Sequence, residues 1–238
     1  MLILSDLLGL TILAGAFPLA GWSARFTHRI GQRWRSLSAG IAMAFMFVSV
    51  LPELAEHQPT IAAAAHGSIL NAEKRIYSWA LFGFVSFAGL REFGGSAEDR
   101  PRPRGGLFYW GRILGFAIYV ALIAYLLSHR EDSSLPSLGL YLAAMGLHLF
   151  MVDVALSEQF GRLYEPVGRM ILVTAVFIGW WLANLHAIPE VITSRLFAFI
   201  LGGVTITSAH EEMGDGKSGY FWWFCGGAAA YALLLMLT

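Results

Sequence analysis

LGLYLAAMGLHLFMVDVALSEQF, residues 138–160, reads as a membrane-spanning helix that carries a histidine and an aspartate where hydrocarbon excludes both. His148 lies near the middle of this run and Asp153 closer to its end. A charged side chain at the centre of a bilayer costs roughly 2.5–3.5 kcal/mol on the insertion scale, so both residues are expected to face a bundle interior or a wet pathway. A plainer reading stands beside this one: a neutral histidine can be an inter-helix hydrogen-bonding group, and Asp153 can sit at the headgroup boundary.

The rest of the chain has the same character. Of its 238 residues, 57% are hydrophobic and 13% charged, and the mean hydropathy is +0.61. A soluble domain typically carries about 25% charged residues, so the composition points to an integral membrane protein. A bilayer crossing needs about 20 apolar residues, and the sequence divides into eight such runs with short polar joints. The expectation is an all-α integral membrane protein, one polytopic domain over residues 1–238. Its opening segment, MLILSDLLGLTILAGAF, lacks the basic region of a signal peptide and reads as a retained first span. Cys225 is the single cysteine, which rules out an internal disulfide and a cysteine-rich metal site.

The spans are placed at about 2–24, 36–56, 75–95, 107–128, 138–158, 168–186, 190–210 and 219–238. An even number puts both termini on one side. Arg25, Arg29, Arg33, Arg35, Arg91, Arg100, Arg102, Arg104, Arg112, Arg162, Arg169 and Lys217 flank or fill the odd-numbered loops, against Lys74, Arg75, Arg130 and Arg195 for the even ones. Arginine and lysine accumulate in cytoplasmic loops, so twelve against four places the termini outside. The segments RFTHRIGQRWR and RPRPR flank spans, which suits an orienting or anionic-lipid role and gives no case for nucleic acid. The loop from His57 to Lys74 is rich in small residues, and Ser96 to Gly106 is interrupted by prolines and reads as weakly ordered.

Leu37 to Glu53, LSAGIAMAFMFVSVLPE, and Leu196 to Glu212, LFAFILGGVTITSAHEE, share length, an opening Leu-x-Ala and a closing carboxylate. They fall in the second and seventh spans. An odd separation means that the copies cross in opposite directions, the inverted-repeat arrangement of many secondary transporters.

Candidate chemistry follows from helical spacing. His148, Met151 and Glu158 fall within an arc of about 80°, but Glu158 lies about 15 Å along the axis from His148, so the two cannot share one metal. Asp153 is about 140° round the helix from His148, which makes a simple ligand pair impossible without a kink or donors from other spans. Such donors are Glu53 behind Pro52, His57, His210, Glu211 and Glu212. Imidazole with carboxylates suits zinc or another divalent first-row ion. His186 and Glu190 share a helical spacing, yet Pro189 and Glu190 there fit the start of the next helix equally well. No phosphate loop, nucleophile elbow or HExxH sequence is present.

The stretches SAGIAMAFMFVSVLPELAEHQ (38–58), LHLFMVDVALSE (147–158), LFAFILGGVTITSAHEEM (196–213) and FWWFCGGAAAYALLL (221–235) resemble the ZIP (Zrt/Irt-like) metal permeases, in particular a divergent bacterial group. The resemblance implies an eight-helix ZIP-like bundle, helices 1–3 repeated inversely as 6–8, in a bacterial inner membrane, with a metal path between the middle helices. It carries a metal role onto His148, Asp153, Glu158, Glu53, Glu211 and Glu212. The divalent cation, zinc first among them, would be the substrate; no organic cofactor and no enzymatic activity are implied, and a homodimer is left open.

The sequence also departs from that family. Ser49 stands where the group has a histidine four residues before the glutamate, and Val152-Asp153-Val154 replaces an Asn-Asp-His run. The fourth span, LFYWGRILGFAIYVALIAYLL, holds no His, Asp, Glu or Asn, although transporting ZIPs draw much of their central site from it. Two functions are therefore expected to compete. One is a permease or channel with a reduced site centred on His148 and Asp153, fed by Glu53 and drained by Glu211 and Glu212. The other is a non-transporting sensor or scaffold on a ZIP-like fold, with an intramembrane metal hydrolase a more distant third.

Overall fold

The computed structural model describes residues 2–27, 32–56, 69–92, 106–130, 134–185, 189–213 and 220–237. All regular structure among them is helical: α1 (Leu2–Thr27), α2 (Gln32–Phe45), α3 (Leu51–Glu56), α4 (Ile69–Glu92), α5 (Leu107–Leu127), α6 (Leu135–Phe160), α7 (Arg169–Leu185), α8 (Glu190–Met213) and α9 (Phe221–Met236). Residues 57–68 and 93–105, which include most of the two loops singled out above, and His186 lie outside the described residues.

Two stretches depart from the regular α-helix: one inside the second expected span, and one where a loop was expected after the fifth. Between α2 and α3 the chain makes a π-turn, Met46–Val50. Pro52, one residue into α3, has no N–H to return to the preceding turn, and a widened turn is how a helix absorbs that loss. Between α6 and α7 run a 3₁₀ turn, Gly161–Leu163, and a second π-turn, Tyr164–Gly168. Gly161 takes φ 54°, a left-handed conformation that suits glycine. The Tyr109 hydroxyl donates to the Leu163 carbonyl at 2.9 Å and fastens this joint to the start of α5.

Among the described residues, four stretches are long and apolar enough to cross a membrane: Arg33–Glu56, Tyr109–Leu127, Leu135–Leu185 and Val191–Ala209. The third runs for 51 residues, more than twice one crossing, because the α6–α7 joint never leaves helix. Large apolar side chains such as Leu8, Leu19, Leu114, Ile118, Ile178 and Trp181 are exposed, as lipid-facing residues are. The protein is a helical membrane protein.

The chain divides into two compact units, each built from segments distant in sequence. The first comprises Met1–Gly31 and Gly89–Leu185, and the second Gln32–Ala88 and His186–Thr238. In the first unit α6 packs on α1, and α5 on α7. Gly9 lies against Leu142 and Gly146 against Ile12, so α1 and α6 run parallel. Tyr119 meets His148 while Tyr141 meets Ile123, so α5 and α6 run antiparallel. Phe17, Tyr119, Leu149, Tyr164 and Val176 fill the core.

In the second unit α2 packs on α9 and on α8. A glycine on each helix makes the closest approaches: a Cβ on Gly40 would strike the Phe224 carbonyl, and one on Gly227 the Leu37 carbonyl. The same exchange recurs between α8 and α4, where Gly202 faces the Ala80 carbonyl and Gly83 the Phe199 carbonyl. In both pairs each glycine stands three residues from the carbonyl that its partner touches. Backbones that approach this closely gain van der Waals contact, which drives helix association where lipid is as apolar as the side chains.

Candidate functional site

The polar core of the first unit is carried by α6. Ser134 caps this helix, its hydroxyl accepting from the Ser137 backbone N–H at 3.3 Å, and Pro136 occupies the first turn. From Ala144 to Val154 nearly every side chain is buried, which brings two polar groups into the interior: His148, 5% exposed, and Asp153, fully buried.

His148 faces α5. Its Nε2 lies 2.8 Å from the hydroxyl of Tyr119, itself fully buried, and the two rings meet edge to face with centroids 5.9 Å apart. A neutral imidazole satisfies this contact in either tautomer, taking the phenol proton on a bare Nε2 or giving its own.

Asp153 faces the α6–α7 joint. The Arg169 guanidinium embraces its carboxylate, with Nε donating to Oδ1 at 3.0 Å and Oδ2 at 3.2 Å and Nη2 donating to Oδ2 at 2.8 Å. The Tyr164 hydroxyl donates to Oδ1 at 2.5 Å. The Arg169 side chain is 15% exposed, and its Cζ lies 5.5 Å from the centre of the Tyr164 ring. Close by, on α1, Gly21 makes room for it: a Cβ there would overlap Nη1 and Cζ of Arg169. The same need for space applies at Gly168, where a Cβ would overlap the Tyr164 ring. This cluster ties α1, α6, the π-turn and α7 together. Charge-assisted bonds of this kind are roughly twice as strong as neutral ones, and in a low-dielectric interior they fix geometry.

The residues nominated from the sequence are thus distributed. His148 and Asp153 point to different partners, in keeping with their 140° separation. Glu158 is exposed on the last turn of α6, and Glu53 is half-buried on α3 in the second unit. Glu211 and Glu212 belong to the end of α8, but their side chains lie outside the described residues, as does that of His210. Among the described residues no group of three or more His, Cys, Asp or Glu side chains comes together as a metal site.

Sequence reading missed Tyr119, Tyr164 and Arg169. Arg169 was counted as a basic residue at a span margin, whereas its charge is matched by Asp153 sixteen residues earlier. Without it the asymmetry is eleven against four, of the same sign. The available signal was the pairing of one intramembrane acid with one arginine at the mouth of the next span. No protein-family model matches the chain, and no curated protein does.

Proposed function

We propose that the chain is a ZIP-like integral membrane protein whose first helical unit has replaced a metal centre with a closed structural network, and that it works as a membrane scaffold or sensor and not as a metal carrier. The observation that carries this reading is the state of Asp153. Both carboxylate oxygens are held by Arg169, and one also accepts from Tyr164. A divalent cation entering there would have to displace a guanidinium and then remain beside its positive charge, a repulsion that low dielectric magnifies. Tyr119 supports the same reading, since the fourth span offers His148 a phenol instead of a metal donor.

The ZIP-like layout of eight spans with an inverted repeat is part of the proposal. Parallel α1 and α6, as first and fifth spans, and antiparallel α5 and α6, as fourth and fifth, fit a chain that crosses once per span. The reciprocal glycine contacts of α2 with α9 and of α8 with α4 support the repeat, pairing Gly40 with Gly202. That register lies three residues, or nearly one turn, beyond the alignment that starts on Leu37 and Leu196.

A second reading, a permease for a divalent cation with zinc first, is favoured by the division into two interleaved units, which rocking-bundle transport uses. In it His148 is the donor in the first unit, and Asp153 is structural. Metal content and melting of the detergent-purified protein separate the two. The scaffold reading expects metal-free protein whose melting temperature is unmoved by zinc. Copurifying zinc, or a melting temperature that rises with zinc concentration as binding linkage requires, would overturn it.

A further inference from the structure

The first turns of α2 and α9 lie side by side. Arg33 stacks over the Trp223 ring, Cζ to centroid 5.8 Å, and four residues further on Gly227 lies against Leu37, so the two helices advance in parallel from a common end. That end is ringed by exposed aromatic residues: Trp34, Phe221, Trp222 and Trp223. Tryptophan collects at headgroup depth, where its amphipathic ring meets both hydrocarbon and water, so this ring marks an interface and puts the Arg33 guanidinium at that level. Neither first turn contains an acidic residue. Among the described residues the positive ends of two helices therefore add to the charge of Arg33, an arrangement that attracts an anion. Below the ring, the outer face of α9 is shallow. Gly226 opens onto empty space, and Ala229 and Ala230 follow it on exposed positions before Leu233 closes the strip.

We propose that this rim of the second unit is a docking surface for an anionic phospholipid, with the phosphate against Arg33 and one acyl chain lying along Gly226, Ala229 and Ala230. Trp223 presets the guanidinium by holding it over its ring face, which limits the freedom lost when the lipid binds. A zwitterionic lipid has the same tail but brings its own cation to Arg33. The inference stands whether or not the protein moves metal.

The test is native mass spectrometry of the intact protein released from neutral detergent, after incubation with phosphatidylglycerol or with phosphatidylcholine of the same acyl chains. Wild-type protein is expected to retain about five times more phosphatidylglycerol, the factor that one arginine near an anionic surface contributes. Arg33→Gln is expected to bring the ratio near one, and Arg33→Lys to recover part of it. Trp223→Leu, which keeps the charge, is expected to lower it. Arg75→Gln removes an equal charge near the start of α4 and is expected to leave the ratio unchanged. Inorganic phosphate should neither form a retained adduct nor displace the lipid; if it does both, the site is a phosphate site and the lipid assignment falls. An unchanged ratio in Arg33→Gln, or an equal drop in Arg75→Gln, would also overturn the proposal.

Discussion

Replacing Asp153 with asparagine keeps the shape of the side chain and removes its charge. Tyr164 can still donate to the amide oxygen, so the main loss falls on Arg169, whose guanidinium is 15% exposed and keeps only the more distant charge of Glu165. Removing one partner of a buried pair costs about 3–5 kcal/mol, and the partial exposure of Arg169 puts this variant at the lower end of that range. Arg169→Gln should cost at least as much, since the carboxylate it abandons is fully buried. Combining the two removes both charges, and the double variant should be more stable than either single one by about 2 kcal/mol. Unfolding by SDS titration from mixed micelles, followed by circular dichroism, measures all four corners of this cycle. Single variants that lose less than about 1 kcal/mol, or a double variant that loses the sum, would refute a buried, energetically coupled pair.

Four other outcomes follow from the same structure. Gly21→Ala should push Arg169 off Asp153 and cost about 1–3 kcal/mol, an effect that should vanish in an Arg169→Gln background and is read in the same unfolding assay. Tyr119→Phe strips His148 of its buried hydroxyl partner and should cost about 1–3 kcal/mol, while His148→Phe in that variant should restore part of the loss. Gly179→Val should lower stability by about 1–3 kcal/mol or more by driving α7 from the Ala121 carbonyl. Glu158→Gln, on an exposed position, should stay within about 0.5 kcal/mol of wild type.

Membrane class and helix positions were legible because apolar run length and polar joints are local properties of the chain. Seven of the proposed spans overlap single helices, the third starting six residues inside α4, and the second follows α2 through α3 as one π-turned rod. The Ser134 cap and Pro136 start α6 at Leu135, within a few residues of the fifth span's expected edge. The loop expected after it is instead helical, because Gly161 and the Tyr109 bond hold the chain in 3₁₀ and π-turns that no apolar count reveals. His148 and Asp153 were correctly singled out as polar groups inside a bundle. Their partners were not, since the contacts of Tyr119 and Arg169 come from packing between helices, and a span's sequence fixes neither its rotation nor its tilt. The close approaches at Gly40, Gly227, Gly83 and Gly202 were not legible either, since which glycine meets a neighbouring backbone is again set by packing.

The claim that the first unit's polar core is structural meets its most direct test in ion flux. Purified protein in liposomes, loaded with a metal-sensitive dye and challenged with zinc, cadmium, manganese or iron, should show no saturable entry above protein-free vesicles. His148→Ala and Asp153→Asn should leave that baseline where it is. Saturable entry of any of these ions that is lost in His148→Ala would contradict a structural role for this core and favour the permease reading.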